Sequence, residues 1–267
     1  MPLLTISISA VLLYLTCSVY LGGQAWHGVR HPRLEKLAVI AGYTALSGHA
    51  VILFNTIFGD WGIDFSVLKV ASLTFWLITL ITLLSSMRLP VKNLLVPLYI
   101  IAAISLVAAQ ALHTTAQTIP NITFGIGVHI LLSILAESIF TIAAVQAITV
   151  GIQDRLLKKH RTQGLVNSLP PLQTMETLLF DMLWGGQLIL TAALATGIIA
   201  APDLITALTT HKVVFAAIAW LVFAILLWGR HQLGWRGNTA IRWTLTGFVL
   251  LMLSYFGSKF VLEFLLS

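Results

Sequence analysis

Four histidines, His49, His113, His129 and His211, lie within or at the edges of long apolar stretches. Ionisable side chains are costly in lipid and face the bundle interior or a functional site. Two imidazoles on facing helices can ligate a haem iron, with the porphyrin between apolar helix faces. Lys69, Lys212 and Lys259 stand near the same ends of their stretches and could pair with propionates or other anions. Each histidine could equally make only a helix–helix hydrogen bond. Glu137 is a further ionisable group inside an apolar stretch. It could relay a proton, bind a substrate, or bond to a neighbouring helix.

Zinc fits these residues less well. No two of these four histidines share an H-x-x-x-H spacing, and no cysteine joins them. No serine or cysteine stands beside a base in a hydrolase motif. The single cysteine, Cys17, permits no disulfide within one chain, and without C-x-x-C-H no covalent haem attachment of the usual kind. It reads as a packed small residue.

The elements that must position these groups follow from composition. Hydrophobic residues make up 58% of the 267 residues and charged residues only 9%. The mean hydropathy is +0.95. A bilayer core of roughly 30 Å takes about 20 apolar residues per helix. The apolar runs are continuous and of that length, and lipid admits only helices or closed barrels. The chain therefore reads as all-α: a polytopic membrane bundle of about eight helices, forming a single integral-membrane domain over residues 1–267. The expected spans are 3–22, 36–54, 65–86, 93–112, 122–152, 177–200, 213–229 and 239–260. Residues 172–176 are expected to lie along the interface, and 153–171 to form the longest polar loop.

Twelve of the fifteen Lys and Arg residues fall in or beside the connections 1–2, 3–4, 5–6 and 7–8; the other three are Lys69, Lys212 and Lys259. The positive-inside rule puts the twelve in the cytoplasm and both termini on the periplasmic side. Trp26, Trp228, Trp235 and Trp243 then mark the inner boundary and Trp61 the outer one. All four apolar-stretch histidines fall toward the outer side. His49 is about 9 Å deep and His129 about 10 Å, at 1.5 Å of rise per residue. The net charge of +6 thus reports topology, not nucleic-acid binding.

Several segments resemble a known family. G-W-R-G at 234–237 is followed by Y-F-G-S at 255–258. His211-Lys212 leads through A-W-L-V-F-A-I-L-L-W into that G-W-R-G. His129-Ile130 precedes Ser133, T-I-A-A-V-Q-A and Q-D-R-L-L-K, and L-P-P-L-Q-T-M-E occupies 169–176. Together these are similar to the cytochrome c assembly (CcsA/ResC/CcmC-like) haem-handling family, and closest to its small eight-span HemX/YpjD-type inner-membrane branch. The resemblance covers essentially the whole chain and is strongest after residue 129.

It implies a multi-pass protein of the bacterial inner membrane that binds non-covalent haem b and works with other cytochrome c biogenesis proteins. His129 then corresponds to the family's first external histidine, and His49 to a histidine within the bundle. His211 stands where larger members end their W-W-D segment. That segment is missing here, and Trp228 occupies the place of the second intramembrane histidine. These departures point to haem binding or an accessory role, not a self-contained catalyst. The expected axial pair is His129 and His211, with His49 as alternative ligand and Lys212 and Lys259 toward the propionates. A contrasting reading is a non-haem transporter or a transporter's regulatory subunit, in which Glu137 and Asp181 matter more. Transporters often show repeated halves with broken helices, and only Pro97 interrupts a span here, with no matched partner. The basic 153–171 segment also suits anionic lipid or a membrane-protein partner.

Overall fold

The structure is a computed structural model describing residues 2–27, 32–59, 62–112, 118–119, 123–160, 165–200 and 211–257. His31, Trp61, His113, Lys259 and the His211 side chain lie outside the described residues. The helices are α1 (Pro2–His27), α2 (Pro32–Ile57), α3 (Val67–Ser85), α4 (Leu95–Ala111), α5 (Phe124–Lys158), α6 (Leu165–Ser168), α7 (Leu172–Ala200), α8 (His211–Leu233) and α9 (Gly237–Met252). A 3-10 turn, Lys92–Leu94, leads into α4, and a π turn, Leu253–Gly257, extends α9. All of these but α6 belong to eight stretches long and apolar enough to cross a membrane. The chain is a multi-pass membrane helix bundle.

Several helices run past their expected ends, α1 to His27 and α2 from Pro32 among them, and two boundaries differ more tellingly. Helix α5 does not stop at residue 152 but runs to Lys158. Asp154 and Lys158 pair at i,i+4 (2.7 Å), and the basic residues of the last turn oppose the helix dipole. His160, at φ 54°, ends the run in the left-handed region. Residues 172–176 are helical and continuous with α7, forming its start, with the Met175 N–H reaching the Pro171 carbonyl (3.1 Å). A proline just before the first turn costs the helix no hydrogen bond.

The connections also contain strands, which apolar runs did not predict. β1 (Phe58–Gly59), β2 (Gly62–Asp64) and β3 (Thr118–Ile119) form an antiparallel sheet in that order. Phe58 pairs with Ile63, and Ile63 with Ile119. Gly62 supplies the positive φ (122°) beside the β1–β2 turn.

The sheet delivers Asp64 to the start of α3. Its Oδ1 accepts the Ser66 N–H (2.8 Å) and its Oδ2 accepts from the Lys69 ammonium (2.6 Å). Lys69, in the first turn of α3, is therefore engaged by the acid that precedes its own helix. Burial pushes the Asp64 carboxyl up, but the hydrogen bonds from Lys69 and Ser66 outweigh it and hold the group below its ordinary value. This contribution is present above the unfolded-chain value, about pH 3.9, and is lost as pH falls through the lower folded value. Asp64→Asn should lower stability at pH 7 by about 1–2 kcal/mol. Its melting temperature should fall less steeply below about pH 4. Thermal melts of the two proteins in detergent at pH 7 and pH 3 check both.

The contacts group the chain into two compact units. The first comprises residues 1–121 with 160–170, the second 122–159 with 171–267. In the first, α1 to α4 close around Tyr14, Tyr99, Leu83 and Leu95. Polar side chains bond neighbouring backbones: Ser18 Oγ to the Val96 carbonyl (2.8 Å) and Trp76 Nε1 to the Leu46 carbonyl (2.9 Å). Cys17 is buried, with Sγ 3.4 Å from the Ala38 carbonyl.

In the second unit, Phe140 of α5 stacks on Phe223 of α8 at 3.9 Å and 9°. Gly186 of α7 and Gly247 of α9 make room for that pair: a Cβ would meet the Phe140 ring at 3.0 Å and the Phe223 ring at 2.6 Å. Small residues facing large rings are how helices approach closely where lipid gives no hydrophobic drive.

Candidate functional site

His129 sits in the second turn of α5, half buried against α7. Its Nδ1 is 2.8 Å from the Ala193 carbonyl. A carbonyl oxygen only accepts, so Nδ1 carries the hydrogen. In the neutral ring the lone pair is then on Nε2. Nε2 has no hydrogen-bond partner among the described residues. One turn beyond Ala193, Gly197 leaves the ring its place. A Cβ there would lie 2.7 Å from Cε1 and 2.8 Å from Nδ1 of His129. Ala193 and Gly197, four residues apart on α7, thus form a seat that fixes both the tautomer and the ring plane. A backbone carbonyl on one nitrogen is the usual support of a metal-ligating imidazole. Ser133, one turn along, donates its hydroxyl back to the His129 carbonyl (2.8 Å).

Two turns deeper on the same helix lies Glu137, 7% exposed. Its Oε1 has no hydrogen-bond partner among the described residues. The backbone of His211 opens α8. The next residue, Lys212, is tied to the end of the bundle through its carbonyl, which accepts from Ser254 Oγ (2.7 Å).

His49 belongs to the first unit and is fully buried. Nε2 lies 2.9 Å from Ser72 Oγ on α3, and Nδ1 lies 3.4 Å from the Tyr14 hydroxyl on α1. The Tyr14 and His49 rings meet edge-on at 6.0 Å. Tyr99 of α4 packs on Tyr14 at 5.4 Å. Gly42 of α2 admits the Tyr99 phenol, whose oxygen a Cβ at that position would strike. His49 therefore links α1, α2 and α3, and ligating an iron would require giving up one of its two bonds.

The other end of the second unit is held by a clamp that the sequence did not announce. Glu176, in the first turns of α7, is 7% exposed. Its Oε1 accepts the Gly237 N–H at the start of α9 (3.0 Å), and its Oε2 accepts from Arg236 Nε (3.3 Å). Arg230 Nη1 donates to the Trp235 carbonyl (3.2 Å), with its guanidinium 4.5 Å over the Phe180 ring. Trp235 packs against Gly229 and lies 5.3 Å from Trp243. Gly234 and Gly237 have φ of 66° and 53°. The G-W-R-G turn needs those glycines for its backbone, and the acid of L-P-P-L-Q-T-M-E closes it.

His49 and His129 thus have defined surroundings, one in each unit, and no ligand role was needed to give either its bonds. Sequence reasoning missed Ser72, Tyr14, Ala193, Gly197 and Glu176. The available signals were the small pair at i,i+4 on α7 and a lone acid facing a basic turn.

The segments that build these sites recur in other proteins. The inner membrane protein YpjD of Escherichia coli K12 is 33% identical over 234 residues, 85% of this chain and 87% of that protein. An uncharacterized 28.8 kDa protein of Azospirillum brasilense is 33% identical over 144 residues, 53% of each chain. No solved structure matches. The sequence profile of the cytochrome C assembly proteins matches residues 37–266. That stretch takes in His49, the His129 seat, α8 and the clamped G-W-R-G turn, and the chain belongs to the cytochrome C assembly protein family.

Proposed function

We propose that the protein binds haem b non-covalently in the bacterial inner membrane and holds it for cytochrome c assembly, with both termini periplasmic. The observation that carries this reading is the His129 seat: Nδ1 bonded to the Ala193 carbonyl, leaving Nε2 as the ligating nitrogen. The residues fit the group in donor type. Bound haem supplies an iron for two axial imidazoles and two carboxylates for cations. His129 and His211 are the axial pair, and His49 is the alternative ligand once Ser72 or Tyr14 releases it. Lys212 and Lys259 pair with the propionates. The chain holds and presents its cargo within lipid, beside other biogenesis proteins, and carries no catalytic step of its own. Placement in the inner membrane rests on the likeness to the inner membrane protein YpjD, and the sidedness on the charge pattern.

The test is haem content after purification from haem-supplied cells. Wild-type protein should retain haem, and the His129→Ala, His211→Ala double variant should lose at least about 90% of it. Equal haem in both would overturn the axial assignment. A second reading, a non-haem transporter or regulatory subunit, draws on the unpartnered Glu137 carboxylate oxygen. Substrate uptake by reconstituted vesicles, abolished in Glu137→Gln, would favour it.

A further inference from the structure

The first unit contains a cavity of about 270 Å³ that no haem reading uses. It opens where α1 ends, α2 begins and the α3–α4 turn crosses, with the segment after α6 at its side. Leu21 and Val96 give it apolar wall. Three polar groups give it chemistry. Glu35 and Lys92, on α2 and the 3-10 turn, pair at 2.5 Å, with side chains 24% and 45% exposed. Asn93 Nδ2 is a buried donor with no partner among the described residues.

This combination selects against single charges. An anion drawn to Lys92 meets the Glu35 carboxylate, and a cation drawn to Glu35 meets the Lys92 ammonium. A zwitterion satisfies both, and an acceptor oxygen beside its negative end satisfies Asn93. The Glu35–Lys92 pair is partly exposed, so parting it for such a ligand costs little. The location narrows the class further. The cavity lies at the ends of membrane-spanning helices, one residue from Trp26, which is 70% exposed as interfacial anchors are. Leu34, Leu37 and Leu89 beside it are exposed apolar side chains where acyl chains can lie.

We propose that this cavity binds the phosphoethanolamine headgroup of a membrane phospholipid. The lipid ammonium donates to Glu35. The phosphate accepts from Lys92 and from Asn93 Nδ2. By the charge rule the lipid belongs to the cytoplasmic leaflet. The proposal is independent of haem binding.

Native mass spectrometry of the full chain in mild detergent tests it. The protein is offered equal amounts of phosphatidylethanolamine, phosphatidylcholine and phosphatidylglycerol with identical acyl chains. Wild type should favour the ethanolamine lipid roughly fivefold over each of the others, the scale of one partly exposed charged contact. Choline lacks N–H donors for Glu35, and the glycerol lipid lacks the ammonium. Glu35→Gln should erase the preference over phosphatidylglycerol, and Asn93→Leu should weaken all three lipids. Both sites are partly exposed, so these variants should fold. Equal binding of the three lipids by wild type, or an unchanged ethanolamine-to-glycerol ratio in Glu35→Gln, would overturn the proposal. Displacement by equimolar soluble glycerophosphoethanolamine would overturn the lipid assignment in favour of a soluble zwitterion.

Discussion

His129→Ala is expected to purify with almost no haem, and Gly197→Ala with about ten- to a hundredfold weaker haem binding, although it keeps every proposed ligand. The second variant separates a ligand from a residue that only packs. A Cβ at 197 falls 2.7 Å from the ring, closer than packed atoms tolerate. Helix α7 is continuous there, so the imidazole must turn or withdraw. Either motion lengthens the 2.8 Å bond to Ala193 and frees the tautomer. If His129 served only to join α5 to α7, both variants would lower melting temperature and leave haem content per folded protein unchanged. Imidazole added to His129→Ala should restore part of the haem binding. Haem titration alongside thermal melts reads both quantities.

The second large effect concerns stability. Glu176→Ala is expected to cost about 2–3 kcal/mol in a detergent melt, and Arg236→Gln less than about 1 kcal/mol. Arg236 is 55% exposed, so solvent screens its share of the pair. The larger part is the Gly237 N–H bond, where a nearly buried carboxylate meets the N-terminus of α9 and its dipole. Glu176→Gln should fall between the two, since one amide oxygen can still accept. Arg236→Gln as damaging as Glu176→Ala would show that the ion pair dominates. Gly237→Ala should also destabilise, because φ there is 53°.

The eight spans were legible because continuous apolar runs of membrane length admit one structure. The ends were less legible. The α5 extension through Asp154 and Lys158 rests on an i,i+4 pair and a helix dipole, which a hydropathy reading scores as loop. The short strands are built from two or three residues each, and their pairing joins segments more than fifty residues apart, Ile63 to Ile119. The seats of the histidines were least legible. In a soluble helix the apolar stripe shows which face is inside. Here lipid-facing Leu131 (64% exposed) and core-facing Ala136 (1%) are both apolar, so periodicity could not set the rotation of α5. Without that rotation, Gly197 could not be assigned to His129, nor Ser72 and Tyr14 to His49. The family segments were recognisable, but their reason was not: the clamp of Glu176 on Gly237 appears only when the two motifs are seen in contact.

We propose that His129 presents Nε2 to a haem iron. The most direct measurement is the dithionite-reduced absorption spectrum of the full chain purified from haem-supplied cells. A low-spin b-type spectrum with the sharp α band of two imidazole ligands, lost in His129→Ala, is the predicted result. A spectrum without haem bands, or one that His129→Ala leaves unaltered, would contradict it.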